Sequence, residues 1–439
     1  MRVFLRFCIF FITISIQAQG SISGNFSPAK DFKWLIAYEL TPNGERYSKD
    51  TAVKDGAFTL EMPVTAQAGM YRLVYAVPQD EFYIDIIYDK KEEVKFNFDL
   101  QDGLTITNSI ENKWYNEYFS KITTAQDRLL EYYELGKDSK KEYMAILKEL
   151  QTLQDTYEEN HANTIAHKFI KANRSYLPTE YENLETFLKN KKQHHFDHLT
   201  INDPILQGSN FLTDKFASYV FSALPVNITT KEQLITEVIK NVNVTASKIA
   251  NISTGFQVRS FHKLWNIADA NGMAEVQDYI FKNYLKKAAI ANNDQKLVDE
   301  LEMASRLRIG AISPNITWEI NGKKKSLSTI DPAENYLLIF WSSTCSHCLK
   351  ELPTLHKELK EYEDLKVIAV GLEDDAVNWK KVSATLPAFN HAIALGKWES
   401  DYAKTFGIQS TPTYFILDSE KRFLAKPESD KEVVEFLEN

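Results

Sequence analysis

Cysteine is scarce in this chain of 439 residues, which contains only Cys8, Cys345 and Cys348. Cys8 lies in an N-terminal stretch that we expect to be removed, so the mature chain would retain a single pair. Disulfide frameworks of secreted proteins use several bridges and occur mostly in small domains. The composition therefore excludes a disulfide-stapled fold, and the chemistry of the remaining pair becomes the main question.

The chain also has fewer basic than acidic residues and no long apolar run. The chain has 51 Lys and Arg against 60 Asp and Glu, a net charge of -9. This balance gives no electrostatic footprint for nucleic acid or for an anionic membrane surface. The apolar run at residues 7–12 is well short of the roughly 20 residues that a membrane span needs. We therefore expect no nucleic-acid partner and no transmembrane anchor.

The first 19 residues have the pattern of a secretory signal peptide. Arg2 and Arg6 precede the apolar run, and small and polar residues follow it. Cleavage is expected near Ala18 or Gly20. The prediction is a protein exported to the periplasm or cell envelope and soluble after cleavage.

Residues 20–104 predict an antiparallel β-sandwich. The runs "KWLIAYEL" and "MYRLVYAV" are rich in aromatic and branched residues, and "EEVKFNF" alternates apolar and polar positions. Asn43-Gly44 and Asp55-Gly56 lie between such runs, as the turns of hairpins do. No histidine occurs in this region, and nothing in it suggests catalysis.

Residues 105–308 predict an all-α region, with Ser109 as the N-cap of its first helix. Apolar residues recur at helical spacing in two stretches: Ile110, Trp114 and Tyr118 in the first, and Met144, Leu147, Leu150 and Leu153 in the second. Such stripes usually form a core. In "QHHFDHL", His194 and His198 would share a helical face beside Asp197, but a zinc site needs a further ligand that the sequence does not supply. We expect no metal.

Residues 309–439 predict an α/β domain. The strand-like segments "NITWEI", "YLLIFW", "LKVIAVGL" and "PTYFILD" alternate with helical ones, which favours a mainly parallel sheet. Cys345 and Cys348 lie where the buried run "YLLIF" ends and a helix begins. In open α/β sheets, sites form at such junctions.

The spacing of the two cysteines favours redox chemistry over the alternatives. Haem attachment requires a histidine after the second cysteine, and Leu349 is there instead. A structural disulfide across two residues closes a very short loop and would stabilise the fold little. The N-terminus of a helix favours a thiolate at Cys345. Cys348, one turn later, is placed to attack a mixed disulfide.

From about residue 310 onward, the chain resembles the thioredoxin-like domain of bacterial envelope thiol-disulfide oxidoreductases of the TlpA and ResA type. The resemblance rests on "FW" three residues before C-x-x-C, on Pro353, and on "STPTYFILD" with Thr411-Pro412. It implies a thioredoxin-like fold preceded by β-rich and helical domains of unknown function. It also implies a redox-active disulfide between Cys345 and Cys348.

The resemblance implies roles for several further residues. Trp341 and Pro412 would shape the site, Pro412 would follow a cis peptide bond, and Thr411 and Pro412 would bind the client peptide. Thioredoxin itself has a buried aspartate where this chain has Ile339. The envelope reductases instead have a glutamate three residues after the second cysteine, and Glu351 at that position would accept the proton of Cys348.

His347 is a second departure from the reductases. The strongly oxidising DsbA type also has a histidine just before its second cysteine, where it stabilises the thiolate and hence the reduced form. We therefore predict a reduction potential above that of thioredoxin, which is about -270 mV.

The sequence thus predicts a thiol-disulfide oxidoreductase without a cofactor, acting on client proteins that carry disulfides or thiols. By resemblance, a membrane protein of the DsbD or CcdA kind would donate electrons, and reduction would include apocytochromes in cytochrome c biogenesis. His347 favours oxidation or isomerisation instead. The N-terminal regions could mediate dimerisation or client recognition.

Two alternatives remain open. In a peroxiredoxin-like peroxidase, Ser342 would match that family's hydroxyl, although Leu338 replaces its proline. In a client-binding module, the cysteine pair would be incidental.

Overall fold

The structure is a computed structural model that describes residues 20–160, 162–320 and 322–438. The expected signal peptide, 1–19, lies outside the described residues. The chain divides into two compact units, Met1–Asn293 and Asp294–Asn439. Among the described helices, none combines the length and the apolar character that crossing a membrane requires.

The first unit begins with eight strands in two sheets. The strands are β1 (Ser21–Ser27), β2 (Trp34–Thr41), β3 (Gly44–Ala52), β4 (Ala57–Glu61), β5 (Gly69–Val74), β6 (Tyr83–Tyr88), β7 (Val94–Asp99) and β8 (Gly103–Asn108). The sheet orders are β4-β1-β7-β8 and β3-β2-β5-β6. Buried side chains of both sheets form one apolar core, so the expected β-sandwich is confirmed.

A tight turn and a parallel strand pair define the path of the chain through the sandwich. Asp55 and Gly56 both have positive φ, 50° and 81°, as a two-residue hairpin turn requires. All strand pairs but one are antiparallel; β1 and β7 run parallel. A parallel pair needs a long connection, and here the chain passes through the whole second sheet before β7 returns beside β1.

Helices make up the rest of the first unit. They are α1 (Ile110–Glu134), α2 (Lys140–Glu159), α3 (Ile165–Ala172), α4 (Leu184–Gln193), α5 (Pro204–Gly208), α6 (Phe211–Ser222), α7 (Lys231–Ile249), α8 (Thr254–Ala270), α9 (Ala274–Ile280) and α10 (Lys286–Ala291), with a π-helical segment, Phe281–Leu285, between the last two. Ser109 caps α1 by accepting a hydrogen bond from the backbone of Asn112, as expected. The Asn112 side chain bonds both backbone groups of Ile87 in β6, at 2.8 and 2.7 Å, which joins α1 to the sandwich.

Two of the expected core positions are wrong. Ile110 is exposed at the first turn of α1, and Met144 is exposed on α2. A helix has 3.6 residues per turn, so a series with a constant spacing of four, as in α1, or of three, as in α2, drifts around the helix. The buried face of α2 instead alternates spacings of three and four, through Tyr143, Leu147 and Leu150.

The second unit contains a helix, a hairpin and an α/β layer structure. Its elements are α11 (Gln295–Leu307), β9 (Thr317–Ile320), β10 (Lys323–Ser326), β11 (Asn335–Trp341), α12 (Ser346–Glu358), β12 (Leu365–Glu373), α13 (Ala376–Ser383), β13 (Asn390–Leu395), α14 (Asp401–Thr405), β14 (Thr413–Leu417), β15 (Phe423–Ala425) and α15 (Asp430–Glu438). The unit divides from the first before α11 rather than at the predicted 308/309 boundary. Met303 and Leu307 of α11 pack into a core of the second unit, which explains the difference.

The main sheet of the second unit has the order β13-β12-β11-β14-β15. The pairs β11–β12 and β12–β13 are parallel, whereas β11–β14 and β14–β15 are antiparallel. The sheet is therefore mixed, and the expectation of a mainly parallel sheet is corrected. The β14–β15 pair is antiparallel because the two strands follow each other through a short turn, which a parallel pair does not allow. Apolar clusters cover both faces of the sheet.

Candidate active site

The cysteine pair is held at the end of the central strand. Strand β11 is buried from Tyr336 to Trp341 and leads into the short loop 342–344. Cys345 is the N-cap of α12, and Cys348 lies in its first turn. Because β14 runs antiparallel to β11, with Thr413 opposite Phe340, the segment just before β14 reaches the same edge of the sheet. The fold thus brings Thr411 beside Cys345.

Hydrogen bonds favour the thiolate of Cys345. Its sulfur accepts the backbone N–H of Cys348 at 3.2 Å, which favours the thiolate. In the protonated form, the thiol donates to the carbonyl oxygen of Thr411 at 3.3 Å. Burial alone would raise the pKa of this half-buried thiol. Hydrogen bonds from the Cys348 thiol and backbone, the Thr411 side chain and the His347 backbone outweigh burial, so the pKa of Cys345 lies below its ordinary value.

Cys348 has the opposite electrostatic environment. Its side chain is fully buried in an apolar cluster that includes Trp341 and Tyr414. Burial, and then its hydrogen bond to Cys345, raises the pKa of Cys348 to about 12. Both cysteines are free thiols in this structure. One thiol is therefore ready to ionise while its neighbour is held protonated.

The carboxylate of Glu351 reaches the cluster through a tyrosine. Glu351 is half-buried and accepts a hydrogen bond at 3.3 Å from the hydroxyl of Tyr414. Tyr414 is 1% exposed, shares the apolar cluster of Cys348, and lies opposite Ile339 in the sheet. Burial raises the pKa of Tyr414, and the charges of Glu351 and Asp430 raise it further. Tyr414 therefore bonds Glu351 and packs in the same apolar cluster as Cys348, and sequence reasoning missed it.

Glu373 is a second residue that sequence reasoning missed. It ends β12, is 3% exposed, and lies beside the end of β11 because the two strands are parallel neighbours. Its carboxylate accepts hydrogen bonds from the backbone N–H of Ser343, from the Ser343 hydroxyl at 3.0 Å and from the Ser342 hydroxyl at 3.5 Å. These bonds fix the loop that carries Cys345. The available signal was a glutamate ending the apolar run "LKVIAVGL".

The remaining predicted residues occupy different depths. Trp341 is fully buried and packs in the same apolar cluster as Cys348. Thr411 and Pro412 are half-buried and joined by a cis peptide bond, as the resemblance implied. The His347 side chain is exposed, and its backbone contributes the hydrogen bond to Cys345.

The peroxidase alternative assigned a role to the hydroxyl group of Ser342, so the contacts of this group in the structure are relevant to it. The Ser342 hydroxyl lies 3.1 Å from that of Thr344 and donates to Glu373. It thus organises the loop, while the Cys345 thiol is bonded to Thr411.

The histidine cluster of the helical region does not have the geometry assumed from sequence. Helix α4 ends at Gln193, so His194 and His198 do not share a helical face. The His194 ring bonds the carboxylate of Asp197 at 2.6 Å. Within the part of the chain that the structure describes, no group of three potential metal ligands occurs.

Comparison with known proteins agrees with this geometry. Residues 334–423 match the sequence model of the family described as thioredoxin-like. The chain is 30% identical over 100 residues to thioredoxin-like protein YneN of Bacillus subtilis, covering 23% of this chain and 58% of YneN. It is 26% identical over 139 residues to thiol-disulfide oxidoreductase ResA of Bacillus thuringiensis, covering 30% of this chain and 76% of ResA.

Two solved structures are similar to this chain, one over its C-terminal part and one over a longer stretch. The thioredoxin domain of a thiol-disulfide oxidoreductase from Bacteroides vulgatus matches 30% of this chain and 96% of its own, with 25% identity and a TM-score of 0.27. A thioredoxin-like protein from Bacteroides caccae matches 60% of this chain and 96% of its own, with 17% identity and a TM-score of 0.33. The C-terminal part of the chain is a thioredoxin-like domain.

Proposed function

We propose that the protein is a thiol-disulfide oxidoreductase in which Cys345 and Cys348 exchange electrons with disulfides of client proteins. The observation that carries the proposal is the opposite shift of the two thiol pKa values within one helical turn. A thiolate is the attacking species in disulfide exchange, and a protonated neighbour is held back for the second step. The ResA relatives are named for the same activity.

The reaction has two balanced steps. The Cys345 thiolate attacks one sulfur of the client disulfide, that S–S bond breaks, and the other client sulfur leaves as a thiolate. Cys348 then loses its proton and attacks the Cys345 sulfur of the mixed disulfide, so the bond between Cys345 and the client breaks and the client sulfur leaves as a thiolate. The products are a Cys345–Cys348 disulfide and a reduced client, so two electrons have moved to the client.

The second step requires a base for the Cys348 proton. We assign this role to the pair of Tyr414 and Glu351, since the tyrosine hydroxyl is bonded to the carboxylate and the Tyr414 side chain packs in the apolar cluster of Cys348. Positioned proton transfer of this kind typically contributes 10²- to 10⁴-fold to a rate. The route through Tyr414 refines the expectation that Glu351 acts on Cys348 directly.

The cellular setting is part of the proposal. The signal-like N-terminus supports export to the periplasm or cell envelope, where a membrane protein of the DsbD or CcdA kind would reduce the Cys345–Cys348 disulfide. We propose client reduction, including that of apocytochromes, as the main direction. Stabilisation of the Cys345 thiolate favours the dithiol form, which supports a reduction potential above that of thioredoxin, about -270 mV.

Trapping of mixed disulfides tests the function. In Cys348→Ser, the second step is blocked, so clients should remain bonded to Cys345 and be identifiable by mass spectrometry of envelope fractions. The matched control is the double variant Cys345→Ser/Cys348→Ser, which should trap nothing. If Cys348→Ser traps no client and the wild type does not reduce insulin, the proposal is wrong.

A further inference from the structure

The helical region of the first unit contains a cavity whose charged lining residues are all basic. Its volume is about 210 Å³, and its wall is formed by α4, α6 and the segments that follow α3 and α6. The basic side chains that line it are Arg174, Lys191, Lys192, His194, His195 and Lys215. Neither aspartate nor glutamate is among the described residues lining it. In a chain with a net charge of -9, such a cluster calls for an explanation.

Part of this positive charge is already neutralised. The guanidinium group of Arg174 bonds Asp155 and Glu158, each at 2.7 Å. The ammonium group of Lys192 lies 3.9 Å from the carboxylate of Glu237. These two cations therefore have partners outside the cavity.

Lys191 and Lys215 have no carboxylate partner among the described residues. Their nearest favourable contacts are aromatic faces, with Lys191 5.8 Å from the ring centre of Phe187 and Lys215 5.5 Å from that of Phe211. Burial, and then the charge of Lys191, lowers the pKa of half-buried Lys215 to about 8, so its ammonium form still predominates at neutral pH. Lys191 is exposed and Lys215 is half-buried, so a bound anion would relieve the repulsion between two cations that line the same cavity.

The histidines do not balance this charge. A ring nitrogen of His195 lies 3.0 Å from the backbone carbonyl of Lys215. Burial, and then the charges of Lys215 and Lys191, lowers the pKa of His195 to about 4, so this ring is neutral. His194 stacks on Tyr176 at 5.0 Å and bonds Asp197. The excess positive charge therefore comes from the two lysines.

We propose that this cavity is a binding site for a small soluble phosphate ester, whose phosphate group is held by Lys191 and Lys215. Lysine binds phosphate as a point charge, whereas planar carboxylates are best matched by an arginine fork, and the fork of Arg174 is already occupied. Serine hydroxyls also line the cavity and can donate to phosphate oxygens. The volume corresponds to roughly seven water molecules of about 30 Å³ each, which suits a small metabolite.

The test uses the full mature chain with inorganic phosphate as the probe. Calorimetric titration should show binding, and phosphate should raise the melting temperature above that in chloride of the same ionic strength. The double variant Lys191→Met/Lys215→Met should bind phosphate at least about 10-fold more weakly. The control Lys189→Met removes an exposed lysine from the same helix without touching the cavity, and should bind like the wild type.

Measuring the melting temperature of the double variant without phosphate shows whether a loss of binding results from misfolding. Because the double variant loses two cations that repel each other, it should melt at the same temperature as the wild type or higher. The proposal is overturned if phosphate has no effect beyond that of chloride, if the double variant responds like the wild type, or if acetate binds as well as phosphate.

Discussion

In the second unit, the buried carboxylate of Glu373 meets hydrogen-bond donors from Ser342 and Ser343, whereas in the first unit Lys191 and Lys215 line a cavity without a carboxylate partner. At the thiol site, the buried carboxylate of Glu373 has its hydrogen-bond donors within the chain. In our proposal, the cavity gains its counter-charge only when a phosphate group binds. The two regions therefore predict opposite responses when a polar group is removed.

The largest expected effect is the loss of insulin reduction in a variant whose phosphate binding is unchanged. Cys345→Ser removes the nucleophile of the first step of the proposed exchange, so insulin reduction should fall to the uncatalysed rate. Phosphate binding by the same variant should be unchanged, since the cavity lies in the other unit. Loss of both activities together would contradict the assignment of separate sites.

The next effect concerns the second step of exchange. Tyr414→Phe keeps the ring in the core but removes the hydroxyl that bonds Glu351. We expect the release of a trapped mixed disulfide to slow on the order of 100-fold in stopped-flow measurements, with attack by Cys345 unchanged. Tyr362→Phe, which alters another tyrosine packed against the same cluster, is the control and should have little effect. An unchanged release rate in Tyr414→Phe would exclude the tyrosine from proton transfer.

Glu373→Gln should destabilise the site from within. The amide retains the size of the carboxylate but has one fewer acceptor oxygen for the donors of Ser342 and Ser343, which should cost about 2 kcal/mol. Opening of the unit, followed as labelling of fully buried Cys348, should then be roughly 30-fold more frequent. The exposed residue Glu358, on α12, supplies the control Glu358→Gln, which should label at the wild-type rate.

The stability of the Glu373→Gln variant can be compared with that of the Lys191→Met/Lys215→Met variant. Removing Glu373 is expected to destabilise the second unit, while removing Lys191 and Lys215 is expected to leave the first unit as stable or more so. If both changes destabilise the protein alike, the lysines have partners that the cavity geometry does not suggest.

The smallest effect is that of His347 on redox poise. If the histidine favours the dithiol form as expected, His347→Ala should lower the reduction potential by about 30 mV, which corresponds to about 1.4 kcal/mol. A titration against glutathione measures this shift. A wild-type potential at or below that of thioredoxin, about -270 mV, would contradict the predicted bias.

Local patterns in the sequence predicted the parts of the site that are local in the fold. Cys345 and Cys348 follow a buried run and open a helix, and both signals lie within a dozen residues. Glu373 and Tyr414 were not predicted because the pairing of their strands with β11 brings them to the site. The sequence of one strand alone does not determine which distant strand it pairs with.

The cationic cavity was beyond the reach of sequence reasoning for the same reason. Lys191 and Lys215 lie on separate helices, and each alone has the pattern of a solvated lysine. Met144 shows a further limit, since a three-residue spacing indicated a helix correctly but not which face is buried.

The pH dependence of Cys345 alkylation tests the central claim most directly. Iodoacetamide reacts with the thiolate, and mass spectrometry of the peptide containing Cys345 locates the midpoint of its ionisation. Because the fold lowers the pKa of Cys345, the folded protein should react faster than the isolated peptide SSTCSHCLK at pH values below the peptide's own midpoint. A midpoint in the folded protein equal to or above that of the peptide would contradict the proposal that Cys345 is the activated nucleophile.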